Sequence, residues 1–232
     1  MWISLLLPFL AQAAAISNLA ECSAHGWSTV RLVNADSFRL LPRESEPAGC
    51  VAKLEIKPSD REISHGRRAE LKDPRYLPAG TTTTHSFLML VPRSSRLASS
   101  RLVLAQWHDF KQDGGDAQRP PLSMRLEGDR FVFPLFNQAI WEKNPAGRGL
   151  NLASVPAVFD RWIHVRVEAK WEASESGFVK IFLNDRQVVS YRGFVGYPQD
   201  AFTPYFKLGV YTVHPLVKPA AAYFTNYSRS IF

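Results

Sequence analysis

The sequence predicts an all-β chain folded as a sandwich, a jelly roll or a barrel, and three observations predict it. Segments with alternating apolar and polar residues recur along the chain, turn-forming residues separate them, and no long segment holds a helical period. Its 232 residues suffice for one domain with a sizeable core and are too few for two comfortable ones. Aromatic residues, 12% of the chain, supply the bulk that a two-sheet core requires.

In chain order, the opening stretch MWISLLLPFLAQAAA is an apolar run followed by small residues. That is the pattern of a secretory signal peptide, cleaved near Ala13 to Ala15. The run is shorter than the roughly 20 apolar residues a spanning helix needs. Residues 1–15 are therefore expected to be removed and residues 16–232 to form the single domain, secreted or periplasmic, with no membrane attachment left. Two cysteines follow, Cys22 and Cys50, and an even pair in an exported protein reads as one disulfide tying the N-terminal segment to the body. Neither lies near a His pair or another Cys at metal spacing, which argues against zinc.

The strand candidates are HSFLMLV (85–91), RLVLAQWH (101–108), LSMRLEGDRFVFPLF (122–136), WIHVRVEAKW (162–171), FVKIFLNDRQVVSYRG (178–193) and YFKLGVYT (205–212). Glu127-Gly128-Asp129 and Asn184-Asp185-Arg186 interrupt two of these runs as hairpin turns would. NLASVPAVFDR (151–161) reads as room for a short turn of helix. Residues 109–121 and 141–156 read as long irregular loops, the kind that form binding walls or lids.

The formal net charge of +7 favours a polyanionic partner. For an exported chain the natural polyanion is an acidic polysaccharide rather than nucleic acid. A monomer is expected.

Three strand segments carry polar residues on one face. Side chains alternate along a strand, so in HGRRAEL (65–71) Arg68 and Glu70 share a face while Ala69 and Leu71 take the other. In LAQWHDF (104–110) Gln106 and His108 share a face. In YFKLGVY (205–211) Tyr205, Lys207, Gly209 and Tyr211 share one face, and Phe206, Leu208 and Val210 the other. An Arg–Glu pair two apart is also what a solvated sheet face carries, at little energetic value. The co-occurrence of all three segments, each with matching parity, points to a site.

R-x-E-L, Q-x-H and Y-F-K-x-G-x-Y, in this order, resemble the three strand motifs of the jelly-roll alginate lyases. Lys72 stands where the alginate lyase motif often ends in Arg, and Trp107 where those enzymes usually have Ile or Val. The Q-W-H form, followed by DRWIHVRVEAKW and GFVKIFLNDRQVV, is more similar to the related heparin lyase I and glucuronan lyase group. The resemblance runs from about Arg61 to Tyr211. It implies a concanavalin-like β-jelly-roll sandwich, two antiparallel sheets with a concave substrate groove, and a lyase acting on glucuronan, alginate or a heparin-type chain.

Such lyases cleave by β-elimination: the C5 proton beside the C6 carboxylate leaves and the bond from C4 to the bridging oxygen breaks. The transition state adds negative charge beside an anionic group, so donors and cations must surround the carboxylate. Arg68 offers it a planar fork and Gln106 a neutral donor. A histidine imidazole is able to take a proton near neutral pH, so His108 suits the base, and Tyr211 the acid for the leaving oxygen; in the families this chain resembles, the Tyr can also serve as both. Lys207, Tyr205, Glu70 and Arg67 are the expected substrate-binding residues, with Glu70 also suited to orienting Arg68 or Lys207. His65, Lys72 and Arg125 are candidates for a basic lining. No cofactor is expected. Some relatives bind a structural calcium, but no acidic loop here shows a ligand pattern.

Two other functions fit parts of the sequence. A glycoside hydrolase needs two carboxylates flanking the scissile bond, and the strand carboxylates here are scattered. A non-catalytic module for an anionic polysaccharide would use the same groove but would need neither His108 nor Tyr211 for chemistry.

Overall fold

The computed structural model describes residues 28–232 except 31, 33, 44–48, 74, 98–99, 109–118, 144–148 and 199–202. The expected signal peptide, Cys22 and most of the 109–121 segment lie outside the described residues. The strands in order are β1 (Ser28–Val30), β2 (Phe38–Arg43), β3 (Gly49–Ile56), β4 (Arg67–Lys72), β5 (Thr82–Leu90), β6 (Arg101–His108), β7 (Leu122–Glu127) and β8 (Arg130–Leu135). After helix α1 (Gln138–Lys143) come β9 (Leu150–Pro156), β10 (Trp162–Lys170), β11 (Phe178–Leu183), β12 (Arg186–Arg192), β13 (Tyr205–Thr212) and β14 (Ala220–Ile231). Among the described residues no helix is long and apolar enough to cross a membrane.

The strands form two antiparallel seven-stranded sheets: a front sheet, β1-β4-β13-β6-β7-β8-β9, and a back sheet, β12-β11-β10-β5-β14-β3-β2. Successive strands β4, β5 and β6 switch sheets, and β13 returns late in the chain to lie between β4 and β6. That return assembles the three polar-faced segments side by side. The expected sandwich is therefore present in its jelly-roll form.

Period-two alternation decides which side chains enter the core. In β5 buried and half-buried residues alternate without exception, with Phe87 and Met89 facing inward. Ala69 and Leu71 from β4, and Phe206, Leu208 and Val210 from β13, pack against them. Burying a side chain as large as Phe206 or Leu208 stabilises by about 1.5–3 kcal/mol.

Strand β6 breaks the simple alternation. Leu102, Leu104, Gln106 and His108 have one parity, and an unbroken strand would send all four to the same side. Val103 instead faces Arg125 while Ala105 faces Met124, so Leu104 is an extra residue relative to β7. This bulge lets Leu102, Leu104, Ala105 and Trp107 all join the core and leaves Gln106 and His108 on the outer face. Across the other edge of β6, Gly209 and Val210 together span the place of Leu104. Gly209 has a φ of 150°, and a Cβ there would lie 2.1 Å from the Ala69 carbonyl oxygen, so only glycine fits.

Both expected hairpins form. Gly128 and Asp129 join β7 to β8, while Asn184 and Asp185, with φ of 47° and 62°, join β11 to β12, leaving Arg186 in the strand. Two expectations are corrected. Residues 150–156 form no helical turn: Leu150 and Val155 pair with Leu135 and Phe131, making β9 an edge strand in which Pro156 at the end costs no ladder bond. The 141–156 segment is thus not a long loop, and the helix lies just upstream, where the Asn137 side chain caps α1 by accepting from the Ile140 backbone N–H at 3.1 Å.

Candidate active site

Register places Arg68 opposite Tyr211, Glu70 opposite Gly209 and Lys72 opposite Lys207. On its other edge β13 sets Lys207 opposite Gln106 and Tyr205 opposite His108. All of these except Lys72, Tyr205, His108 and Tyr211 are buried, although they lie on the outer face of the front sheet. Buried polar groups need partners, and this set has them except at the Arg68 Nε.

Glu70 supplies those partners. Its Oε2 lies 3.5 Å from Arg68 Nη1 and 3.3 Å from Lys207 Nζ, and its Oε1 accepts from Gln106 Nε2. Three of the predicted residues thus meet on a fourth. Two cations meet on this one carboxylate, an arrangement that suits an anion. Glu70 itself is 2% exposed and orients its neighbours.

Arg68 also reaches a turn. Its Nη2 donates to the Ser64 carbonyl at 2.8 Å, and Ser64 and His65 both adopt left-handed φ in that turn. The guanidinium lies 3.9 Å from the centre of the Tyr211 ring. Gly66 makes room for this arrangement, because a Cβ there would fall 2.4 Å from the Thr212 carbonyl oxygen and 2.7 Å from Tyr211 Cε2.

His108 and Tyr205 form a second group, their rings stacked at 5.3 Å and 10°. Lys72 Nζ sits 4.2 Å from the Tyr205 ring centre and donates to the Tyr76 hydroxyl. Tyr76 in turn meets Tyr205 edge-on at 6.3 Å. The structure therefore brings His108 to Tyr205 and Tyr211 to Arg68. The row of Tyr211 lies five residues along β6 from His108, about 16 Å at strand rise.

Arg67 is not brought to this face. As the neighbour of Arg68 it points the other way, donating to the Asp60 carbonyl at 2.8 Å and pairing with Glu62 at 3.2 Å. His65 is exposed in its turn. Arg125 reaches the outer face from β7, with Val103 opposite and its Nε on Ser123 Oγ at 3.1 Å. Burial, helped by the Arg101 charge, pulls it down to about 10. Ser64, Tyr76 and Ser123 escaped the sequence reading. Only Ser123, two residues before Arg125, carried a parity signal.

Under the site lies a polar network between the sheets. Tyr227 stacks on Phe206 at 5.3 Å, donates to Asp73 Oδ2 at 2.7 Å and meets His85 Nδ1 at 3.2 Å. Burial pushes the Asp73 carboxyl up, but hydrogen bonds from Arg75 and Tyr227 outweigh it and hold it at about 2. Burial lowers His85 to about 3 and raises Tyr227. Among the described residues no group of three or more His, Cys, Asp or Glu is placed to hold a metal.

The front sheet of this jelly-roll sandwich thus gathers Arg, Glu, Gln, Lys, His and Tyr on one face. Residues 22–228 match the family model described as polysaccharide lyase, and the chain belongs to that family. Its fold is similar to an endo-β-1,4-glucuronan lyase from the fungus Trichoderma reesei, with a TM-score of 0.71, 14% identity, and coverage of 89% of this chain and 92% of that one. It is also similar to the family 7 alginate lyase AlgAT5, with a TM-score of 0.61, 15% identity and coverage of 90% and 96%. A third similar structure is the family 7 alginate lyase A1-II′, with a TM-score of 0.62, 14% identity and coverage of 85% and 84%. No curated protein matches the chain in sequence.

Proposed function

We propose that this polysaccharide lyase cleaves a uronate-containing polysaccharide by β-elimination, leaving a 4,5-unsaturated uronate end. The observation that carries the reading is the meeting of Arg68, Lys207 and Gln106 on Glu70, one strand from a tyrosine covered by a guanidinium. The substrate carboxylate docks beside Arg68, Lys207 and Gln106, where fixed donors stabilise the charge that grows as C5 loses its proton.

Tyr211 serves as both base and acid. Its hydroxyl oxygen, on a ring faced by the Arg68 guanidinium at 3.9 Å, takes the C5 proton; the electron pair forms the C4–C5 double bond, the C4–oxygen bond breaks, and the phenol returns the proton to the bridging oxygen. The separate placement of His108 supports this division over a His base paired with a Tyr acid. His108, stacked on Tyr205, binds the chain on the other side of Gln106, with Lys72 nearby.

Glucuronan heads the substrate list because the matched glucuronan lyase has a TM-score of 0.71. Secretion after loss of residues 1–15, a Cys22–Cys50 disulfide and a monomeric state complete the proposal; the leader pattern and the paired cysteines support the first two. The test is Tyr211→Phe against His108→Ala on the polymer the wild type cleaves. Loss of turnover in the first with residual turnover in the second is expected. Equal abolition by both would restore His108 as the base.

A further inference from the structure

We propose that Arg125 binds the carboxylate of a uronate residue neighbouring the one that is cleaved, and thereby sets the preference for a charged chain over a neutral one. This rests on the uronate reading above and adds a specificity residue to it.

Arg125, Val103 and Tyr211 occupy one row of three adjacent strands on the outer face. Two strand spacings place the Arg125 backbone about 10 Å from that of Tyr211. The two side chains are close enough for Tyr211 to act electrostatically on the Arg125 guanidinium, which places that guanidinium beside the reacting ring, within reach of the carboxylate of the next sugar.

The charge of Arg125 is otherwise unanswered. Arg68 and Lys207 share Glu70, whereas among the described residues no carboxylate lies within ion-pairing distance of Arg125, and its one side-chain partner is the neutral Ser123 hydroxyl. The nearest acidic influence, Glu127, stands opposite Arg101 in register. The side chain is nonetheless only 6% exposed. A buried cation without a counter-ion costs stability, and a hydrophobic residue of similar volume would serve the fold better. An anion arriving with the substrate supplies what the fold leaves out, and Ser123 holds the fork toward it. The depressed proton affinity of the guanidinium has the same origin.

The test compares the wild type, Arg125→Met and Arg125→Lys in thermal melting, in kcat and KM on a polyuronate, and in binding of that polyuronate and of its carboxyl-reduced, neutral form. Arg125→Met is expected to melt at or above the wild-type temperature. Its KM and Kd for the charged chain rise about 10- to 100-fold while kcat changes less than about threefold. Neutral-chain binding stays as in the wild type, and Arg125→Lys recovers part of the loss. A lower melting temperature with unchanged charged-chain affinity assigns Arg125 to structure and overturns the inference. An equal loss on charged and neutral chains overturns it too. Wild-type cleavage that Arg125→Met leaves untouched overturns this inference alone. Arg125-dependent binding with no unsaturated product in the wild type overturns the cleavage reading alone.

Discussion

Glu70→Gln keeps the shape of the side chain and removes the charge that Arg68 and Lys207 share. In the folded protein the Glu70, Arg68 and Lys207 side chains are 3%, 7% and 5% exposed, so water cannot replace the lost carboxylate. Removing one partner of a buried ion pair costs about 3–5 kcal/mol, because the remaining charge stays desolvated. Here two cations lose their counter-ion, which places the cost toward the upper end of that range. For a domain of this size each kcal/mol shifts the melting temperature by about 2–4 °C, so a drop of about 6–20 °C is expected. Circular dichroism melts of wild type, Glu70→Gln and Glu70→Gln with Lys207→Met measure it, and the double variant should recover part of the loss by removing one orphaned cation. A single variant melting within about 2 °C of wild type would show that Glu70 is not the counter-ion of this cluster.

The remaining expectations follow from the same geometry. Tyr211→Phe should lower kcat by about 10²- to 10⁴-fold with an unchanged melt, read by the absorbance of unsaturated product. Gly66→Ala should reduce both activity and stability, because its Cβ meets the Thr212 carbonyl oxygen and the Tyr211 ring; wild-type values for both would refute the close packing. Acid should destabilise the fold in two stages. Folding lowers His85 to about 3 and Asp73 to about 2, so on acidification the unfolded chain takes up protons first, His85 below about 6.5 and Asp73 below about 4. Stability conferred by the neutral histidine is present above about pH 6.5 and falls by about 1.4 kcal/mol per pH unit below it. Urea midpoints between pH 7 and pH 4 should fall less steeply in His85→Phe; identical slopes would count against a buried neutral His85.

The legible parts of this protein were the local ones. Pleating alone separates Arg68 and Glu70 from Ala69 and Leu71, and Lys207 and Tyr211 from Phe206 and Leu208, and both separations hold in the structure. The same rule turns Arg67 away from Arg68, toward Asp60 and Glu62. What was hidden is non-local. Glu70 joins Gln106 and Lys207 only because β13, distant in sequence, lies between β4 and β6. The β6 bulge at Leu104 arises from matching two neighbours at once and has no signature in the strand itself. The stacking of His108 on Tyr205, rather than an approach to Tyr211, likewise depends on cross-strand register. Helix α1 was overlooked although Asn137 followed by QAIWEK carries a capping residue and helix formers.

The most direct test of the central claim is depolymerisation by the purified protein of glucuronan, alginate and heparin-type chains, followed by the ultraviolet absorbance of the unsaturated uronate. The account expects the signal to rise on at least one uronate polymer, glucuronan foremost, with no added cofactor. Binding to such a polymer without any rise in absorbance would contradict elimination and leave a carbohydrate-binding protein on a lyase fold.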